Sequence, residues 1–400
     1  MSEGLLIRLR PTGAWRIGPD SGDRDRVDRV YHSDSLYSAV ASAMVHLGRL
    51  DEWLEATARA AEPAVRLGSC FPFQGDMLFV APPRNLWPPP ASSKVRWKGA
   101  RFVPLSVVES LVAGRGVSED RWMIDGASEC LVPMATPPGL GPFRVSVRSN
   151  AAADRGGSAV APHSTACLEF TPGSGLWTVA TFSGEATRDQ WTAPLTAAFR
   201  LLADSGFGGE RSRGWGRSET PEIIAGELPG LLLRSPAQAS ANAWWLLSLF
   251  HPAASDAVDW TQGNYALTTR GGRIESREGW GEQKRATRMV AEGSVIVAGS
   301  EPCGSAADVA PGGFPHPVYR SGFALAIPIP LRASKAPVAA VTEAAPSVGP
   351  SISPAPSGPA PSAPSVSSPT EPPAEPTATA PHETATPAPA PGDADEEAPE

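Results

Sequence analysis

The sequence predicts an α+β fold of two consecutive βαββαβ units packed together, with an insertion in the first and a disordered tail after the second. Three observations carry this. Strand-like and helix-like hydrophobic periods follow one another in that order along residues 1–228. A second series of strand-like segments starts near Leu231. From about Ala336 to Glu400 the chain is almost entirely Pro, Ala, Ser, Thr and Glu, with no Phe, Trp or Tyr. Such a segment cannot bury enough apolar surface to offset the entropy of ordering.

The first strand is read at Gly4 to Arg10, where Leu5, Ile7 and Leu9 alternate with Leu6, Arg8 and Arg10 and leave two arginines on one face. Ile17 to Arg29 is rich in Gly, Pro, Asp and Arg, which is loop chemistry. A helix begins near Ser33, read as its N-cap, with Asp34 in the first turn and Leu36, Val40, Met44 and Leu47 on one face before Gly48. A second short helix is read from Asp51 to about Ala61, and a strand from Met77 to Val80. The five prolines between Pro82 and Pro90 predict an extended excursion.

The next stretch is basic and aromatic: Lys94, Arg96, Trp97, Lys98 and Arg101, then strand-like Arg101 to Leu105. Ser106 to Pro162 holds short apolar pieces, among them a strand at Phe143 to Arg148 and a glycine-rich tip at Asp154 to Ser158. The insertion is therefore placed at about residues 82–162. Ala166 to Phe170 and Leu176 to Phe182, joined by a turn at Pro172 to Gly175, read as a hairpin. Trp191, Leu195, Ala198, Phe199 and Leu202 recur at helical spacing up to Ser205, Gly206 to Arg217 follows, and Pro221 to Ala225 reads as the closing strand. This is the order of a ferredoxin-like (RRM-like) unit. The second unit, residues 229–335, offers strands at Trp244 to Phe250, Tyr265 to Arg270, Thr287 to Val297 and Val318 to Ile329, and is short of helices.

Charge is uneven along the chain. Of its 42 acidic residues nine lie in the tail, which has no Lys or Arg, leaving 33 acids against 34 bases in residues 1–335. The formal charge of −8 belongs largely to the tail, so bulk acidity does not argue against a nucleic-acid partner; local clustering decides. Arg greatly outnumbers Lys, and its planar fork suits phosphate and base stacking, although genomic base composition explains the excess as well. Cys70, Cys130, Cys167 and Cys303 lie far apart with no C-x-x-C pair, so neither zinc nor a disulfide framework is indicated. Residues 1–10 lack a signal-peptide core and no apolar run is long enough for a membrane span, so a reduced cytoplasm is the expectation.

Gly206 to Arg217 holds five glycines, three arginines and two aromatics. Glycines let backbone N–H groups approach an anion, arginines neutralise phosphate, and Phe207 and Trp215 offer stacking worth roughly 1–3 kcal/mol per base. A Walker loop needs G-K-[ST], and no Lys is present. A dinucleotide fingerprint follows a strand and opens a helix, whereas this string follows a helix. A plain solvated turn is the competing reading.

Three strings carry a resemblance to a known family: His32-Ser-Asp-Ser-Leu-Tyr-Ser-Ala39; the loop Gly206 to Arg217; and the C-terminal pair Arg288-Met-Val-Ala-Glu-Gly-Ser294 and His316-Pro-Val-Tyr-Arg-Ser-Gly322. The chain resembles the repeat-associated mysterious proteins (RAMPs) of CRISPR systems and, among them, the family of Csm complex subunit four. The likeness covers residues 1 to about 330 and excludes the tail. It implies a non-catalytic subunit of a type III-A effector, two ferredoxin-like domains, a guide RNA held by its 5′ repeat-derived tag, and contacts to the large polymerase-type subunit and the backbone RAMP subunits.

Carried onto this sequence, the RNA-facing positions are Gly208, Gly209, Arg211, Ser212, Arg213 and Arg217. The helix start, with His32, Ser33 and Ser35, is a second candidate because helix N-termini favour phosphate, unless Ser33 simply caps the helix. Lys94, Arg96 and Lys98, and then Arg144 and Arg148 beside Asn150, are candidates for a β-hairpin thumb of the kind such subunits project, or else lie on solvated charged faces.

Some RAMP proteins cleave precursor guide RNA, so His32 is also weighed as a general acid or base. No second histidine lies near it in sequence. His46, His251 and His316 read as structural, and Asp23, Asp25 and Asp28 alternate with arginines as a solvated cluster rather than a metal site. A protein-interaction scaffold with incidental RNA contact is the third reading. No metal and no cofactor is expected.

Overall fold

Strand β1 (Ser2–Leu9) is buried from Leu5 to Leu9 on both faces, which fits a central strand covered on both sides. The computed structural model describes residues 2–19, 22–89, 95–153, 160–234, 243–275 and 280–331. After β1 come helices α1 (Ser33–His46) and α2 (Leu50–Ala56) and strands β2 (Val65–Leu67), β3 (Phe71–Gln74), β4 (Met77–Val80) and β5 (Val103–Pro104). Helix α3 (Leu105–Val112), strands β6 (Trp122–Asp125), β7 (Cys130–Pro133), β8 (Phe143–Ala153), β9 (Val160–Phe170) and β10 (Ser174–Phe182), helix α4 (Glu185–Ser205) and strand β11 (Glu222–Leu228) complete the first half.

The main sheet runs β11–β1–β10–β3–β4–β5, with β2 also on β10, and every pair is antiparallel. The closing strand β11 thus lies beside β1, and β1 beside β10, as the βαββαβ order of the first unit requires. Leu36, Val40 and Met44 of α1 are buried, as are Trp191, Leu195, Ala198, Phe199 and Leu202 of α4, so the helical periods identified in the sequence do face the core. Trp191 meets Trp53 of α2 edge-to-face, with ring centroids 5.4 Å apart.

Four local expectations are corrected. Ala166 to Phe170 does not pair with Leu176 to Phe182: β9 pairs with β8 along its whole length, Phe143 opposite Phe170 through Ala153 opposite Val160, while β10 enters the main sheet. The proline segment is not fully extended, because Leu86 and Trp87 N–H groups both close turns onto the Pro83 carbonyl. Helix α3 forms where the sequence shows only apolar pieces; its Val107, Val108 and Val112 favour strands by propensity, but Leu105, Val108, Leu111 and Val112 share a buried helical face. Ser33 does not cap α1, whose N-cap is His32 without a side-chain bond.

The second half comprises β12 (Ala243–Leu246), β13 (Val258–Asn264), β14 (Leu267–Arg270), β15 (Arg273–Glu275), β16 (Trp280–Gln283), β17 (Thr287–Val290), β18 (Val295–Ala298), β19 (Gly304–Asp308), β20 (Tyr319–Phe323) and β21 (Ala326–Ile329). Its sheet is β13–β18–β12–β21, with β14–β17, β15–β16 and β19–β20 as separate ladders. The strand expected from Thr287 to Val297 breaks at Gly293, whose φ of +78° turns the chain from one sheet to another. No helix occurs among the described residues from 243 to 331, so the second βαββαβ unit does not form there. One hydrophobic core runs from Leu5 to Ile329 through both halves, and Met1–Val338 form one compact unit. The tip at Asp154 to Ser158 and the tail lie outside the described residues. No helix among the described residues is long and apolar enough to cross a membrane.

Candidate nucleic-acid interface

The glycine-rich segment leaves α4 at Gly206 and enters β11 at Glu222, as read from the sequence. Gly206, Gly208, Gly214 and Gly216 all have positive φ. Two of them allow close backbone passage: a Cβ on Gly216 would lie 2.1 Å from the Phe207 carbonyl oxygen, and one on Gly208 would lie 2.6 Å from that of Arg16. The segment folds back on itself, with the Phe207 N–H bonded to the Gly216 carbonyl and the Gly216 and Gly209 N–H groups bonded to Ala14 and Arg16. Those two N–H groups are therefore satisfied internally rather than offered to an anion. Arg211–Arg213 form a 3₁₀ turn that projects Arg211, Ser212 and Arg213 into solvent, and Arg217 is exposed beside it.

The two aromatics do a different job from the one the composition indicated. Phe207 is buried edge-on against Trp15 and Tyr31, at 4.7 and 5.1 Å between centroids, and Trp215 is buried with Ala14 and Cys167. They anchor the loop and do not present faces to bases.

Strands β8 and β9 bring a second set of charges to the same place. Arg144, Ser146 and Arg148 share one face of β8, since successive side chains alternate. The Arg148 guanidinium lies over the Trp215 ring at 5.5 Å. Arg213 donates from Nη2 to Nε2 of His163 on β9, at 3.2 Å. The loop arginines and the hairpin arginines thus form one surface. Beneath it the buried Arg16 donates to the carbonyls of Asp23, Arg24, Arg26 and Ala166 at 2.7–3.3 Å, while its own carbonyl holds Gly209. Burial pushes its pKa down. That single residue ties the Asp23–Arg26 loop and β9 through its guanidinium, and the glycine-rich loop through its carbonyl.

The helix start lies elsewhere, in the interior where the two halves meet. His32 is 8 % exposed, and its Nδ1 and Nε2 face Glu292 at 2.7 Å and Asp28 at 3.1 Å. Burial opposes its charge, but the Glu292 carboxylate and the bond to Asp28 outweigh that and push its pKa up to about 10. Ser33 donates its N–H to Ser69 and accepts the Leu249 N–H on its hydroxyl, at 2.8 and 3.0 Å. Asp34 accepts from Arg270 and Arg320, and Ser35 accepts from Arg270 at 3.1 Å. Burial resists ionisation of Asp34, yet the two arginines, Arg270 foremost, hold its pKa at about 2. Glu292 and Arg320 belong to the two C-terminal strings singled out in the sequence. Those strings and the helix start form a buried ionic joint, and a phosphate has no open approach to His32 or Ser33.

The remaining basic candidates do not join the surface. Lys94 lies outside the described residues, as does the Arg96 side chain, and Lys98 is exposed on a 3₁₀ turn. Trp97 between them is core, stacked on Trp87 at 5.3 Å, and Arg101 pairs with Asp28. Sequence reading missed His163, Glu169 and Arg16. His163 reaches Arg213 across 50 positions, a separation no spacing rule covers. Among the described residues no cluster of His, Cys, Asp and Glu is arranged to hold a metal ion.

Comparison with known proteins gives a consistent likeness. Residues 239–329 match the family model of the CRISPR Csm4 C-terminal domain. A chain in the crystal structure of a Csm3–Csm4 subcomplex of the type III-A CRISPR–Cas interference complex superposes with a TM-score of 0.55 at 16% identity, covering 82% of this chain and all of that one. A chain in the crystal structure of a Csm1–Csm4 cassette with pppApA gives a TM-score of 0.51 at 17% identity, covering 83% of this chain and all of that one. At such identities the superpositions speak for the fold. No curated protein matches the chain.

Proposed function

We propose that the chain, whose residues 239–329 match the model of the CRISPR Csm4 C-terminal domain, is a Csm4-type, non-catalytic subunit of a type III-A CRISPR effector that holds the 5′ repeat-derived tag of the guide RNA. The observation that carries this is the meeting of Arg213 with His163 and of Arg148 with Trp215, which sets the exposed Arg211, Arg213 and Arg217 of the loop beside the Arg144 and Arg148 hairpin. Arginine forks held at fixed spacing suit consecutive phosphates of a single strand. The relatives whose fold it shares are found paired with Csm1 and with Csm3, which supports a bridging place between the large polymerase-type subunit and the backbone RAMP subunits.

A nuclease reading rests on His32. A buried histidine flanked by two carboxylates and carrying its proton at neutral pH is no general base, and its reach to a substrate is closed by its own partners. This supports the non-catalytic reading for that residue.

The test is a salt series with a short RNA carrying the tag, using the full chain within its reconstituted complex. Arg211→Ala and Arg213→Ala should each weaken binding and flatten the dependence of log K on log salt by about 0.7 per lost phosphate contact. Slopes identical to the unaltered chain would remove the loop from the RNA site. Intact assembly without any tag-dependent binding would favour the scaffold reading.

A further inference from the structure

The arginines of this surface are largely paired with carboxylates. Glu169 on β9 accepts Nε and Nη2 of Arg144 on one oxygen, at 3.1 and 2.9 Å, and the same two atoms of Arg148 on the other, at 3.3 and 2.9 Å. The Ser146 hydroxyl donates to it at 2.8 Å. Glu210, held at a left-handed φ of +62°, meets Nε of Arg213 at 3.1 Å, and Glu275 meets Arg211. Three carboxylates thus face four arginines. Arg217 pairs with no carboxylate among the described residues.

We propose, on the reading that this surface binds guide RNA, that Glu169 is a specificity-determining residue, an anionic stand-in that RNA must displace before its phosphates reach Arg144 and Arg148. Both arginines remain accessible, at 66 % and 47 % side-chain exposure, so the exchange needs no rearrangement of the fold. Glu169 itself is only 24 % exposed and holds both arginines by two bonds each, so it yields less easily than the partner of a lone surface pair. An RNA that also meets Arg211, Arg213 and Arg217 in register brings the further contacts that displacement needs. An unrelated strand attracted by charge alone meets a surface whose net charge Glu169 has lowered by one. Selectivity then comes from withholding charge as much as from offering it.

The consequence is that removing the acid strengthens binding and degrades discrimination. Glu169→Gln keeps the side-chain length and an acceptor oxygen while deleting the charge. One more net positive charge steepens the single-strand salt slope by about 0.7, which amounts to about fivefold tighter binding at 0.1 M salt relative to a 1 M reference. The experiment measures anisotropy of a tag-bearing RNA and a scrambled RNA of equal length on the full chain in its complex. The variants are Glu169→Gln, Glu169→Asp and, as a remote control, Glu52→Gln on α2, whose carboxylate pairs with Arg49 at the helix N-cap.

Scrambled RNA should gain about fivefold on Glu169→Gln with the steeper slope, tag RNA should gain less, and Glu169→Asp and Glu52→Gln should keep the original ratio. Weaker binding of both RNAs to a Glu169→Gln chain that melts normally would overturn the proposal and make Glu169 a strut that aims the arginines. Unchanged affinity and slope for scrambled RNA would overturn it too. Should the unaltered complex bind both RNAs no better than the Arg211→Ala and Arg213→Ala variants do, the RNA reading itself fails, and the two failures are distinct.

Discussion

Replacing Asp34 by Asn should unlock the joint between the two halves. The Asp34 carboxylate is 3 % exposed and accepts from Arg270 Nε and Nη2 at 3.1 and 3.0 Å and from Nη1 of Arg320. Asn keeps the volume but deletes the charge that two buried guanidiniums share, and turns an N–H₂ toward one of them. Breaking a buried ion pair by removing one partner costs about 3–5 kcal/mol. A second measure comes from titration: a pKa near 2 in the fold against the usual 3.8 corresponds to about 2 kcal/mol at 1.36 kcal/mol per unit. The second figure is smaller because a protonated acid still offers an acceptor to each arginine. A loss of about 2–4 kcal/mol at pH 7 follows from the two together.

Urea unfolding followed by tryptophan fluorescence measures it. The pH dependence supplies an internal check. Because the folded pKa lies below the unfolded one, the stabilisation is complete above pH 3.8 and is lost as pH falls toward 2. The gap between the unaltered chain and Asp34→Asn should close over that window. A variant within about 0.5 kcal/mol of the unaltered chain at pH 7, the range of ordinary surface changes, would refute the reasoning.

Two further outcomes follow from the same structure. His32, pushed up to about 10 from an ordinary 6.5, contributes fully below pH 6.5 and progressively less as pH rises through 10, so the melting temperature should fall on the alkaline side, and His32→Gln should flatten that limb. Gly216→Ala places a methyl 2.1 Å from the Phe207 carbonyl oxygen at a φ of +81°, whereas Gly214→Ala meets nothing within 4 Å. Calorimetry should find the first more costly than the left-handed penalty of about 1–2 kcal/mol that both share.

What the sequence disclosed and what it hid divide along a physical line. Trp191, Leu195, Ala198, Phe199 and Leu202 declared α4 because a long helix repeats its apolar face several times over. Helix α3 has only two turns, and its valines speak locally for a strand. The partner of Ala166 to Phe170 is hidden because the nearer strand, β10, follows a convenient turn, while the actual ladder runs back to Phe143. Side-chain partnerships are hidden more deeply still. His32 and Glu292 lie 260 positions apart, and only the folded register brings them to 2.7 Å.

The strings that carried the family likeness therefore hold two separate jobs, and the fold couples them. The helix start and the two C-terminal strings make the ionic joint, whereas the glycine-rich loop makes the exposed arginine turn. Tyr31, next to His32, packs edge-on against Phe207 at the root of that loop, and Arg211 at its crest pairs with Glu275 of the C-terminal half. The arginine turn is thus held from below by the neighbour of His32, the first residue of the joint, and from above by the half that closes it. Loosening the joint by Asp34→Asn should therefore shift the turn while leaving every arginine of the turn in place. On the proposed RNA-binding role, Asp34→Asn should then lower affinity for RNA while each surviving phosphate contact, and so the salt slope, stays, whereas removing Arg211 or Arg213 should lower both in the same salt series.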